Sequence, residues 1–295
     1  NVLGISVSSM VEAGLPIDSY GNPLYPIITW FDQRTLPQVK WWNDNTDPYE
    51  VYKETGLVIH PRCSLNKIMW IRENEREAYD KMVHWLSMED YVLYCLSGSI
   101  ATSSASATRT MAMNISNMTW SDKMLGMAEV SKDIFPSIYP GGTIIGRVSE
   151  EASKASLLKE GTPVLTGGHD HLCAALASGV MEEGDLFDSM GTAESLVAIT
   201  DKLMITEDVF KSGFCVGRNL TGNNFCIMGG ISSSGASVEW FGKNIVGKDS
   251  SGESIYKKFD QLALEMKPEP SGIFFTPYIT GRGTPVLDYK ARGSF

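Results

Sequence analysis

Val164-Leu-Thr166 is an apolar run of strand length that leads straight into Gly167-Gly-His-Asp170. Residues 171–180, which follow, are small and apolar enough for a closely packed helix. A strand that meets a helix through paired glycines suits an open α/β sheet, in which ligands bind at the carboxyl ends of strands. The glycines let a ligand approach the backbone. A carboxylate there, partly shielded from water, can accept a proton from a hydroxyl. Asp is as well suited to capping a helix, so on these residues alone Asp170 reads as a base or as a cap. His169 and His171 flank it. In a strand they would share a face, but they straddle the expected helix start, and no distant His or Cys stands at ligand spacing. No metal site is expected. His60 and His84 read as packing or surface residues.

The rest of the chain alternates in the same way. Val2 to Val7 and Ile27 to Phe31 are short apolar runs, and Asp18 to Pro23 between them has turn chemistry, so a hairpin-like strand pair is expected. Helical patterns cover Asn66 to Tyr79, Met88 to Leu96, Ser121 to Val130 and 149–159. Further strands are expected at 185–190, 195–199 and 224–228, and a helix from Ala236 to Ile245. The alternation indicates an α/β protein with partly parallel sheets. A change of composition near Gly184 sets the expected domains at 1–183 and 184–295. No repeat or low-complexity tract occurs.

Composition excludes several classes. The formal charge is −10, and nothing resembles the basic face of a nucleic-acid binder. No stretch approaches the roughly 18 consecutive apolar residues of a membrane span. The five cysteines are odd in number and scattered, with no CxxC pair, which suits a reducing compartment and predicts a cytoplasmic protein. The chain opens inside an apolar run and closes without a helix, as an internal piece of a longer protein would.

Other residues could carry chemistry. Gly191-Thr192 follows one expected strand, and Gly229-Gly230 with Ser232-Ser-Ser-Gly235 follows another. Backbone N–H groups in such turns suit phosphate oxygens, although no Gly-Lys-Ser/Thr occurs. Trp41, Trp42, Trp70, Trp85 and Trp120 read as core. Trp30 precedes Asp32 and Arg34, and an aromatic with alternating polar groups can line a polyol pocket; the alternative is a surface ion pair of small worth.

These pieces, in this order and over essentially the whole chain, resemble the FGGY family of carbohydrate kinases. The resemblance rests on Gly21-Asn-Pro-Leu with Trp30-Phe-Asp32-Gln-Arg34, on Ser64-Leu-Asn-Lys67-Ile-Met-Trp70-Ile71 and on Gly168-His-Asp170. It continues through Gly191-Thr192, Gly235-Ala-Ser-Val-Glu-Trp240 and Pro277 to Pro285 with Asp288 and Ala291-Arg-Gly293. The family implies an actin-like (ribonuclease H-like) ATPase fold of two domains, the second incomplete here, with sugar and ATP meeting in the cleft between them. It implies ATP and Mg²⁺ as cofactors, a small-molecule carbohydrate as partner and a possible homodimer. By resemblance Asp170 is the base that deprotonates the attacking hydroxyl, and Gly191, Thr192, Gly235 and Glu239 lie near the nucleotide.

The resemblance also implies that the family's Asp-Gly-Thr phosphate loop precedes Asn1 and that its adenine segment follows Phe295. Ser9 and Met10 fall where glycerol kinases carry Arg-Glu, and Arg62 falls where they carry a tyrosine that touches substrate. Glycerol is therefore not expected. With Trp30 and Asp32, these residues form the expected substrate set. Arg62 is expected to favour longer polyols or sugar acids if it enters the pocket; otherwise it faces solvent or a surface acid. The expected activity is ATP-dependent phosphorylation of a sugar, sugar alcohol or sugar acid. The alternatives are a non-catalytic sugar-binding regulator and a hydrolase, the latter lacking a second placed carboxylate.

Overall fold

Residues 5–9 run alongside residues 164–169. Ile5 bridges Val164, and Ser8 and Ser9 pair in parallel with Gly168 and His169. Between these pairs Val7 O accepts the Gly168 N–H at 3.2 Å, and the approach is so close that a Cβ on Gly167 would lie 1.9 Å from that oxygen. The expected strand over Val2–Val7 is thus reduced to one bridge and the strand Ser8–Ser9. The structure is a computed structural model that describes residues 2–247, 254–266, 269–279, 281–286, 288 and 290–295. Asn1, Thr280 in the Pro277–Pro285 motif, and Tyr289 lie outside the described residues.

The expected turn at Asp18–Pro23 forms. Asp18 Oδ1 accepts the N–H groups of Tyr20 at 2.8 Å and Asn22 at 2.9 Å. The strand expected at Ile27–Phe31 does not form. Only Ile28 pairs back, with Gly14, and Gly14–Ile17 takes His84–Ser87 as its antiparallel partner. Pro23 and Pro26 offer no N–H to a ladder on this side.

The helices follow their sequence signals. Residues 66–79 divide into Ser64–Asn74 and Arg76–Lys81. Met88–Ser97 opens on a capping box between Ser87 and Asp90 and closes at Gly98 with φ 73°. Ser121 and Ser149 cap Asp122–Ala128 and Glu150–Ser156. Asp170–Ala177 follows the glycine turn, and Gly235–Phe241 runs on into a π-helical turn, Gly242–Val246. The widest sheet orders its strands as Leu186–Met190, Glu194–Thr200, Phe225–Ile231 and Cys215–Arg218. Parallel pairing occurs between Ser8–Ser9 and Gly168–His169 and between Ala101–Ser103 and Ser137–Tyr139.

Gly56 fixes the path of the segment that carries Arg62. The helix Pro48–Thr55, capped by Asp47, ends at Gly56 with φ 74°. A Cβ there would sit 2.3 Å from the Val216 carbonyl oxygen, and the Val216 N–H donates to Gly56 O at 2.7 Å. Only glycine satisfies both the left-handed backbone and the close approach.

The chain divides into two compact units. The first comprises Asn1–Phe187, Val197–Phe210 and Phe214–Met228; the second comprises Asp188–Leu196, Lys211–Gly213 and Gly229–Phe295. This differs from a single cut at Gly184, because Cys215, Val216 and Phe225 belong to the first unit's main core with Trp42, Tyr52, Leu65, Ile68 and Ile71. Trp85 and Trp120 lie in the same core, as expected, whereas Trp41 is partly exposed. In the second unit Phe275 stacks on Phe295 at 4.8 Å, and Phe241 lies 5.9 Å from Phe295 and 6.1 Å from Phe259. Among the described residues no helix is long and apolar enough to cross a membrane.

Candidate active site

Asp170 is the first residue inside its helix, and the cap position belongs to His169. Its carboxylate is 48% exposed, whereas the His169 side chain is only 7% exposed. His169 Nε2 lies 3.3 Å from Asp170 Oδ1, which also accepts the His171 N–H at 2.9 Å. Burial pushes the His169 pKa down to about 3, aided by the charge of Arg109, so the imidazole is neutral. Its Nδ1 is buried without a partner among the described residues. His169, Asp170 and His171 offer ligand atoms within 4.8 Å of one another, the one such His/Cys/Asp/Glu grouping among the described residues.

The parallel pairing of Ser9 with His169 brings the loop after Ser9 to the same end. That loop carries Glu12, with φ 59° and a buried carboxylate. Glu12 Oε1 accepts Arg109 Nε at 2.8 Å and Nη2 at 2.5 Å, and Arg62 Nε lies 3.3 Å away. Burial alone would raise the Glu12 pKa, but the guanidinium charges of Arg109 and Arg62 overcome it and hold the group at about 2. Lys67 Nζ donates to the Glu12 carbonyl and to Ile28 O at 3.2 Å, fixing both ends of the turn excursion. Burial lowers the Lys67 pKa to about 8.

Arg62 faces this cluster rather than a surface acid. Besides Glu12, its Nη2 reaches Cys215 Sγ at 3.7 Å, and its backbone N–H donates to His60 Nδ1 at 3.2 Å. Burial and the Arg62 charge push His60 down to about 3, so this histidine belongs to the cluster and is not an ordinary packing residue.

The other expected substrate residues are placed differently. Ser9 Oγ donates to Met10 O at 3.1 Å, and Met10 is partly exposed. Trp30 is exposed and meets Phe31 edge-on. Asp32 is committed to Arg34, which donates through Nε at 3.0 Å and Nη2 at 2.8 Å and lies over Trp70 at 4.7 Å. Asp32 is therefore held in a formed ion pair.

In the second unit Gly191, Thr192 and Gly235 come together. The Gly235 N–H donates to Gly191 O at 2.9 Å, and the N–H groups of Ser234 and Ala236 donate to Thr192 O at 2.9 and 3.1 Å. A Cβ on Gly235 would lie 2.8 Å from Gly191 O. Glu239, one turn along the helix, is exposed and paired with Lys243.

Three residues of this candidate site lie outside the sequence expectations. Glu12 stands two positions beyond Met10, and its acid was the available signal. Arg109 is the middle residue of the short 3-10 turn Thr108–Thr110, with no pattern to mark it. Glu89 read only as part of a helix, yet its Oε1 accepts the Gly167 N–H at 2.8 Å and its Oε2 accepts Ser103 Oγ and Ser106 Oγ.

Residues 1–177 match the N-terminal domain of the FGGY family of carbohydrate kinases. The chain is 28% identical to a xylulose kinase of Staphylococcus xylosus, over 100% of this chain and 59% of that protein. It is 26% identical to a gluconokinase of Bacillus subtilis, over 99% of this chain and 57% of that protein. Among solved structures, gluconate kinase from Lactobacillus acidophilus superposes with a TM-score of 0.90 at 21% identity, covering 99% of this chain and 58% of that one. Plasmodium falciparum glycerol kinase with ADP gives 0.84 at 21% identity, over 97% and 56%. The chain thus spans somewhat over half the length of these relatives. The fold is the expected actin-like, ribonuclease H-like α/β fold. The chain belongs to the FGGY family of carbohydrate kinases.

Proposed function

We propose that the protein phosphorylates a hydroxyl of a sugar, sugar alcohol or sugar acid at the expense of ATP, with Asp170 as the general base. The observation that carries this reading is the contrast at the glycine turn. The Asp170 carboxylate is half exposed while His169 beside it is buried and neutral. A substrate hydroxyl can reach Asp170, and the uncharged imidazole does not neutralise it. Phosphoryl transfer relies mainly on positioning and charge stabilisation, and base assistance adds about 10²–10⁴-fold.

Arg62 offers a preformed polar group for hydroxyls, held by the buried Glu12–Arg109 pair, and Lys67 fixes the Glu12 carbonyl. A pure binder would not need an accessible base beside that group, which favours the kinase over a regulator. Gly191, Thr192 and Gly235 fit a nucleotide phosphate: Gly191 and Thr192 form an exposed turn, and Gly235 packs so close to it that a Cβ there would lie 2.8 Å from Gly191 O. These residues and Glu239 would hold ATP, which when bound supplies the phosphoryl group, with Mg²⁺ offsetting its charge. The protein's own residues orient the hydroxyl and take its proton. The same reading assigns a cytoplasmic location, in keeping with its five free thiols.

The test is ADP release by the full-length protein across a panel of pentoses, hexoses, polyols and aldonates. Carbohydrate-dependent release supports the kinase; ATP hydrolysis indifferent to every carbohydrate contradicts it.

A further inference from the structure

The Glu12 cluster carries more positive than negative charge. Two guanidinium groups, Arg62 and Arg109, converge on the single carboxylate of Glu12, and both fall on the same oxygen, Oε1. The Lys67 ammonium adds a further charge behind them, spent on carbonyl oxygens and not on an acid. His60 and His169 remain neutral at pH 7, so they neither add to nor offset the balance. Asp32 is already matched by Arg34. Counting Asp170 against the cluster still leaves an excess cation, and Arg109 Nη1 is buried with no partner among the described residues.

The two arginines are not equivalent. Arg109 is 6% exposed and holds Glu12 through two N–H groups, whereas Arg62 is 30% exposed and approaches through Nε alone. Arg109 is thus the fixed partner of Glu12, and Arg62 is the guanidinium that a ligand can reach. A guanidinium matches a carboxylate in shape, through two parallel charge-assisted hydrogen bonds. A neutral polyol would leave the excess charge poorly compensated in a partly desolvated site.

Resting on the kinase reading above, we propose that the substrate is a sugar acid whose carboxylate is bound by Arg62, with Glu12 and Arg109 fixing the orientation of that arginine. The acid end is thereby anchored at Arg62 while a hydroxyl elsewhere on the chain is left for Asp170.

The test uses the full-length protein, with gluconate and glucitol as a matched acid and neutral polyol. Calorimetry reads binding without turnover, and ADP release reads the reaction. Gluconate should bind and react at least tenfold better than glucitol, consistent with a charge-assisted pair. Arg62→Ala should lower gluconate affinity by about 10- to 100-fold and glucitol affinity far less, collapsing the preference. Arg62→Lys keeps the charge but loses the fork, and should fall between. Thermal melts of both variants establish that they fold, and Arg62→Lys carries the comparison if Arg62→Ala does not. Equal binding of the two ligands by the wild type, or an equal loss for both in the variants, overturns the proposal. So does Arg62-dependent binding of inorganic phosphate without any preference for the aldonate. Arg62-dependent gluconate binding without carbohydrate-dependent ADP release would instead sustain the acid site and overturn the kinase reading.

Discussion

The Gly167 N–H donates to Glu89 Oε1 at 2.8 Å, tying the turn ahead of Asp170 to a buried carboxylate 78 residues earlier. The other oxygen of Glu89 accepts Ser103 Oγ at 3.1 Å and Ser106 Oγ at 2.5 Å. One side chain therefore joins the helix Met88–Ser97, the Ser103–Ser106 segment and the turn that presents Asp170. Burial raises the Glu89 pKa, against the hydrogen bonds from Ser106, Gly167 and Ser103.

Removing this junction should loosen the turn as well as the fold. Glu89→Ala strands a buried N–H and two hydroxyls, at a cost of about 3 kcal/mol. Glu89→Gln retains an acceptor oxygen and should cost about 1 kcal/mol. Urea unfolding measures both, and in the full-length enzyme kcat should fall more than KM rises. An Ala variant with the wild-type midpoint and kcat would show that the junction is idle.

Gly56→Ala should be among the more damaging single changes in the first unit. The backbone there has φ 74°, and the added methyl would meet Val216 O at 2.3 Å. Left-handed strain costs Ala about 1 kcal/mol and the collision adds to it. A loss of about 2–3 kcal/mol is expected by urea unfolding, together with weaker carbohydrate binding, because the segment carrying Arg62 starts at this residue. A loss under about 0.5 kcal/mol would mean that the helix end and the Val216 strand part easily here.

Acid should destabilise the protein in two stages. His169 is held neutral, with its pKa lowered from 6.5 to about 3 by burial first and by Arg109 second. The unfolded chain binds that proton more readily, so stability falls as pH drops from 6.5 towards 3. Glu12 is lowered from 4.5 to about 2, so its contribution, on the order of 3 kcal/mol, is present above 4.5 and lost as pH falls through 2. Asp90 acts in the opposite sense, because burial and then the Glu89 charge raise it from 3.8 to about 7, and its contribution is lost as pH rises through that range. Comparing unfolding free energies of wild type and His169→Gln cancels the Asp90 effect. The wild type should lose more stability than the variant between pH 6.5 and 4.5; parallel curves would show that His169 is not held neutral.

Local chemistry made much of this legible. The glycine turn and Asp170, the capped helices and the Asp18 turn are short-range patterns, and each formed where its residues indicated. The failures are long-range. Val2–Val7 is apolar enough for a strand, but its partner is residues 163–169 far along the chain, and only Ile5 bridges that segment before Ser8. The expected pairing of Val2–Val7 with Ile27–Phe31 does not form, because the first segment runs beside residues 163–169 and Ile28 keeps only a bridge to Gly14, whose strand pairs with one some seventy residues later. Glu12 and Arg109 are 97 residues apart and neither lies in a periodic pattern, so only the folded chain joins them. Arg62 was singled out as a substitution in a loop, but its partner could not be read until Glu12 was seen to face it.

The central claim is that Asp170 takes the proton from the substrate hydroxyl, and Asp170→Asn in the full-length enzyme tests it most directly. Asn keeps the shape and a hydrogen-bonding oxygen but cannot accept the proton. With carbohydrate affinity measured by calorimetry and turnover by ADP release, kcat should fall by about 10²–10⁴-fold while the dissociation constant changes by less than about threefold. A variant that turns over near the wild-type rate, or one whose entire loss lies in carbohydrate affinity, would contradict the account.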